Sequence, residues 1–139
     1  MPGRNIIKNY QKNSYYHIYN RGVNKNSIFL GEKDYVKFKY YLEVAASRYE
    51  VGVKKYELEH NHFHLCIHQK NERGIEKLMR STATSYALYF NFKYERVGSL
   101  FQGNYRARRL ESQEELEILI NYMNRHRGDS WEDLGWTLI

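Results

Sequence analysis

VGVKKYELEHNHFHLCIHQ, residues 51–69, decides the fold. Runs of strand length, 51–60 and 62–69, lie either side of His60–Asn61, so the segment reads as two strands joined by a tight turn. In an extended chain alternate residues point to the same side. His60, His62, His64, Cys66 and His68 therefore form a row on one face, with Phe63, Leu65 and Ile67 on the other. Glu59 falls on the opposite face from the histidines if the pairing is regular, and is left out of the site. His62 and His64 have Cβ atoms roughly 6.5–7 Å apart, which lets both imidazoles reach one ion about 2 Å from each nitrogen. His60 and His68 lie roughly 26 Å apart in an extended strand, so one ion cannot take all four rings. A pair needs further ligands from elsewhere, with water or substrate oxygen at open positions. A lone His-x-His most often hydrogen-bonds locally, whereas four histidines in register point to contact with a metal or a phosphate.

Working outward, YYHIYNRG (15–22) alternates into a glycine turn and reads as a strand. GEKDYVKFKYYLEVAASRYE (31–50) has Tyr35, Phe38, Leu42 and Ala46 near helical spacing, behind acidic residues in its first turn. A long helix is expected from about Ile75 to Tyr94, with Leu78, Thr82, Tyr86, Tyr89 and Phe90 on one side. Residues 99–110 alternate in part and suggest a fourth strand. A last helix runs from about Gln113 to Arg127, with Ser112 and Glu115 spaced as a capping box. The order is βαββαβ plus a final helix: α+β, a ferredoxin-like antiparallel sheet with helices on one face. That fold hosts many functions, so the site must carry the functional argument.

At 139 residues the chain is expected to be a single domain, with a core of about 14–128 and a tail of 129–139. The tail, DSWEDLGWTLI with Trp131 and Trp136, is expected to cap that core. No apolar run approaches a membrane span, and no signal-peptide hydrophobic region opens the chain. Cys66 is the only cysteine, which excludes an intrachain disulfide and fits a cytoplasmic location. The net charge is +6, and aromatics make up 16% of residues, 14 of them tyrosines. Cations that grip phosphate, interleaved with rings that stack on bases, fit single-stranded nucleic acid better than duplex. A soluble domain also carries such charge for its own sake.

In the last helix Leu116, Leu119, Ile120 and Met123 make the stripe for the core. Tyr122 and His126, four apart, share a face beside that stripe. Together they can bring a nucleophile and a third metal ligand to one ion, although most tyrosines in so tyrosine-rich a chain serve packing.

These residues resemble a known family: the single-tyrosine HUH transposases of small insertion sequences, and especially their REP-associated relatives. His62-Phe63-His64 matches the histidine–hydrophobe–histidine motif. YYHIYNRGVNKNSIFL is similar to the family's first strand and loop, VGSLFQGNYRARRL to its fourth-strand region, and LINYMNRHRG to the segment with the catalytic tyrosine. The similarity runs from about residue 14 to residue 128. It implies an enzyme that cuts and rejoins single-stranded DNA, with hairpin ends, and that leaves a 5′-phosphotyrosine and a free 3′-hydroxyl. Tyr122 would be the nucleophile, and His62, His64 and His126 the metal ligands. The family usually has Asn or Gln where His126 stands, and Pro-Asn where His60-Asn61 stands. Mg²⁺ or Mn²⁺ is the expected cofactor. Three imidazoles are a softer set than usual, which favours Mn²⁺ or Zn²⁺ over Mg²⁺. The resemblance also implies a homodimer, in some relatives with exchanged tyrosine helices.

Arg21, Lys77, Arg80, Arg106 and Arg108 are the candidates to grip DNA, with stacking from nearby tyrosines. Gln102, in the matching LFQG block, and Asn61 have structural readings. No P-loop occurs, and none is needed where bond energy is kept in a phosphotyrosine. Two other functions fit parts of the pattern. A histidine-triad nucleotide hydrolase would use a histidine nucleophile, but Asn61 breaks that motif's alternation. A non-catalytic module of the same fold would bind nucleic-acid hairpins without cutting them.

Overall fold

The computed structural model describes residues 14–125. They form β1 (Ser14–Arg21), α1 (Glu32–Tyr49), β2 (Val51–Glu59), β3 (His62–Gln69), α2 (Gly74–Lys93), β4 (Arg106–Arg109) and α3 (Gln113–Arg125). The sheet order is β2-β3-β1-β4, every neighbour antiparallel. This is the expected split arrangement, in which α1 and α2 cross over one face. The tail and His126 lie outside the described residues.

Odd residues of β3 and even residues of β1 face those two helices. Tyr16, Ile18, Phe63, Leu65 and Ile67 are buried there against Phe38, Leu42, Ile75, Leu78, Tyr86 and Phe90. These helix positions recur at three and four residues, which is why the stripes meet the sheet. Asp34 starts α1: its carboxylate accepts the Leu30 and Gly31 N–H groups, then the hydroxyls of Tyr89 and Tyr94 and the ammonium of Lys93 from α2. Burial works to raise its pKa, but those donors outweigh burial and hold it at about 2.

The other face carries α3. Leu116, Leu119, Tyr122 and Met123 pack on Cys66 and Leu110, with Tyr15 and Ile120 at the margin. Ser112 caps this helix through its Oγ, which accepts the Glu115 N–H at 3.2 Å. The return half of the capping box is altered, since the Glu115 carboxylate takes the Glu111 N–H and the Arg108 guanidinium instead. Those two donors hold its pKa below the usual carboxylate range.

Three expectations change. The fourth strand is shorter than residues 99–110, because the chain turns through Gly98 (φ 91°) and Gly103 (φ 67°) before β4 begins. His60 is not part of the strand row. It sits exposed in the β2–β3 turn, where its Nδ1 lies 3.0 Å from Ser27 Oγ. Glu59 pairs with His62, and Glu57 with His64, so both carboxylates share the histidine face. Counting parity through a two-residue turn fails, because the residues flanking the turn are direct partners.

Candidate functional site

The histidine face is assembled by register. β1 and β3 set Arg21 against His62, Tyr19 against His64, and His17 against Cys66. On its other side β1 sets Tyr19 against Arg106 and His17 against Arg108. One surface therefore gathers His17, Tyr19, Arg21, His62, His64, Cys66, Arg106 and Arg108.

The rings of His62 and His64 stand edge to face with centroids 5.2 Å apart. His62 Nδ1 lies 2.8 Å from Asn61 Oδ1. The Asn61 amide nitrogen points instead to the Lys25 carbonyl at 3.4 Å, which orients the amide so that its oxygen accepts from the imidazole. His64 Nδ1 lies 2.9 Å from His17 Nε2. Tyr122, from α3 of the same chain, meets His64 edge to face at 5.6 Å between centroids. His64 is fully buried, His62 is 5% exposed and Tyr122 9%.

Two imidazoles side by side, each with Nδ1 engaged by a neighbour, leave Nε2 as the atom that could meet a divalent cation. They make a pair and not a full set: among the described residues no group of three His, Cys, Asp or Glu side chains is placed to hold a metal. The expected third ligand, His126, lies outside those residues.

Burial and then the charge of Arg108 drive the His17 pKa down to about 3, so this ring is neutral at physiological pH. Burial raises the Tyr19 hydroxyl, against the opposing pull of Arg106 and Arg108. Burial also lifts the Cys66 thiol to about 12 despite Lys54, which makes it inert as a nucleophile.

The five candidate cations divide. Arg21, Arg106 and Arg108 lie on the histidine face. Arg21 donates from Nε to Gln102 Oε1 at 3.0 Å, which gives Gln102 a positioning role. Arg108 makes a two-pronged ion pair with Glu115 at 3.1 and 3.3 Å and thereby ties β4 to α3. Lys77 and Arg80 are on α2, across the sheet from the histidines. Lys77 lies over the Tyr49 ring, while Arg80 pairs with Glu76 and borders a cavity of about 390 Å³ with Asn20, Phe101 and Tyr105.

Sequence reasoning missed His17. Its signal was present, since His17 alternates with Tyr19 and Arg21 in β1, but only the β1–β3 register reveals that it meets His64.

The arrangement of a paired imidazole site with a tyrosine on α3 coincides with a family match over residues 10–126, to the model described as "Transposase IS200 like". The chain belongs to this transposase family. No curated protein matches it. Among solved structures, a REP-associated tyrosine transposase bound to a REP hairpin superposes with a TM-score of 0.61 at 10% identity. The match covers 82% of this chain and 66% of the other, so this chain spans just under two thirds of that relative. A protein described as a candidate transposase from Deinococcus radiodurans R1 gives 0.57 at 15% identity, covering 92% of this chain and 99% of that one. At these identities the superpositions establish a shared fold, and the family match carries the relationship.

Proposed function

We propose that this transposase cuts and rejoins single-stranded DNA through a 5′-phosphotyrosine at Tyr122, with a divalent cation held by His62 and His64. The observation that carries this reading is the ring contact of Tyr122 with His64 inside one chain, which sets a phenol ring beside a pair of imidazoles. His126 is the proposed third ligand. The bound ion, Mn²⁺ or Mg²⁺ with Zn²⁺ an alternative, would polarise a non-bridging phosphate oxygen and offset the charge that develops on it.

The chain's own residues do the rest. The Tyr122 oxygen bonds to phosphorus while the bond from phosphorus to the 3′-oxygen breaks. The phenolic proton passes to water, and the departing 3′-oxygen takes one up. Attack by another 3′-hydroxyl on the phosphotyrosine reverses these steps and reseals a strand, with no nucleotide consumed. Tyrosine's ordinary pKa is near 10, so a cation beside it is needed to favour phenolate at neutral pH. Arg21 and Arg106 lie on the histidine face and are the proposed contacts to the DNA backbone near the scissile phosphate. Lys77 and Arg80, on α2 across the sheet, are left out of this proposed strand path.

The relative solved with a REP hairpin supports a DNA hairpin as the substrate class. Action in cis is the arrangement the Tyr122–His64 contact favours, within an expected homodimer. Among the described residues no helix is long and apolar enough to cross a membrane, and a cytoplasmic location is part of the proposal.

The test is intact-mass detection of a covalent oligonucleotide adduct after incubation with single-stranded hairpin DNA and Mn²⁺, followed by mapping of the modified residue. An adduct on Tyr122 supports the reading. Binding without nicking across Mn²⁺, Mg²⁺ and Zn²⁺ would overturn it in favour of a binding module, and an adduct on a histidine would favour nucleotidyl-histidine chemistry.

A further inference from the structure

His17 carries chemistry that the proposed reaction does not use. It comes from β1, is 1% exposed, and is held between the Tyr19 ring at 4.4 Å and the His64 ring at 5.1 Å. The planes of His17 and His64 differ by 22°, close enough to coplanar for a nitrogen-to-nitrogen hydrogen bond in the ring planes.

A neutral imidazole has one N–H and one lone pair, and in this contact one ring must donate and the other accept. His64 Nδ1 is taken up by the contact, so an external cation can be met only through Nε2. A nitrogen can ligate only with its lone pair, so the His64 proton must sit on Nδ1 and be donated to His17 Nε2. In the reverse arrangement His17 donates, and the His64 proton moves to Nε2, where it would face the cation.

His62 lacks this ambiguity. Its Nδ1 faces the Asn61 carbonyl oxygen, which can only accept. The two members of the pair are therefore set differently, one by an obligate acceptor and the other by a ring able to take either role.

We infer that His17 is the positioning residue for His64, accepting its Nδ1 proton and so fixing Nε2 as the cation-binding atom. This rests on the reading of His62 and His64 as ligands. Outer partners of this kind, when removed, typically weaken metal binding by about 10–100-fold.

The test uses the full chain without DNA. Long-range ¹H–¹⁵N correlation spectra of the metal-free protein report which nitrogen of each imidazole carries the proton, and calorimetry with Mn²⁺ and Zn²⁺ alone reports affinity. The expected result is an Nδ1–H form for both His62 and His64. His17→Phe should weaken Mn²⁺ binding by about 10–100-fold and shift the His64 proton toward Nε2, leaving His62 unchanged. His17→Gln, which restores an acceptor oxygen, should recover most of that loss. A proton on Nε2 of His64 in the unsubstituted protein overturns the inference without any variant. Equal Mn²⁺ affinity in His17→Phe overturns it alone, whereas an unsubstituted chain that takes up neither metal removes the ligand assignment beneath it.

Discussion

The two faces of the sheet are built to different ends. The face under α1 and α2 is a continuous apolar core with aromatic rings in contact from Phe29 through Phe38 and Tyr86 to Phe90. The face under α3 keeps a few apolar contacts at one end and gives the remainder to histidines, arginines and carboxylates. Burial of polar groups is costly unless they are partnered, so the second face contributes less to stability while holding the proposed chemistry. What anchors the fold and what is proposed to react are separated by the thickness of one sheet.

The largest expected effect tests the reactive side. Tyr122→Phe should lower strand cleavage and adduct formation at least about a thousandfold, read by gel and intact mass, with the cooperative thermal transition retained. A variant that loses its fold instead would erase the division between the faces.

Leu65→Ala and Leu119→Ala probe the two packings directly. Both residues are fully buried. Leu65→Ala should cost about 3–5 kcal/mol in urea unfolding, near the upper end for such truncations, because it is wholly buried in the large core cluster that α1 and α2 close over. Leu119→Ala should cost about 2–3 kcal/mol, since a helix packed on a small cluster can settle into the space. Native-state hydrogen exchange should agree, with α3 amides opening at lower free energy than those of α1 and α2. Equal protection would contradict the comparison.

Asp34→Asn should cost about 3 kcal/mol at neutral pH, because it strips a buried, multiply bonded charge from the α1–α2 contact. The sign of its pH dependence follows from the depressed pKa. The Asp34 carboxyl sits at about 2, below its ordinary 3.8, so its contribution is complete above pH 4 and fades as pH falls toward 2. Thermal melts of the parent and the variant should converge over that window.

The smallest effect concerns the cations. Arg21→Ala should reduce the salt slope of single-stranded DNA binding by about one, as expected for one lost phosphate contact, and Lys77→Ala should leave it unchanged. Equal slopes would mean that the α2 surface also follows the strand.

Much of this was legible in the sequence. The helices followed from apolar spacing, β3 began and ended where its alternation did, and the Ser112 cap lay where the spacing put it. The His62–His64 pair could be singled out because a strand face is a local property, whereas Tyr122 was set apart from the other tyrosines by the family resemblance. Pairing register is not local. It brought Glu57 and Glu59 to the histidine side and joined His17 to His64. The α2 crossover, equally non-local, put Lys77 and Arg80 on the other side of the sheet from the arginines of β1 and β4. Arg108 shows a further limit: a basic residue in a suggestive motif proved to be clasped by Glu115, one helix later.

Cys66 is the chain's only thiol, and it lies wholly beneath α3, opposite His17. Thiol reagents in solution can reach it only in molecules whose α3 has lifted from the sheet. The rate of alkylation in native buffer is thus an intrinsic clock for how often this roof lifts, readable in the unsubstituted protein without a label.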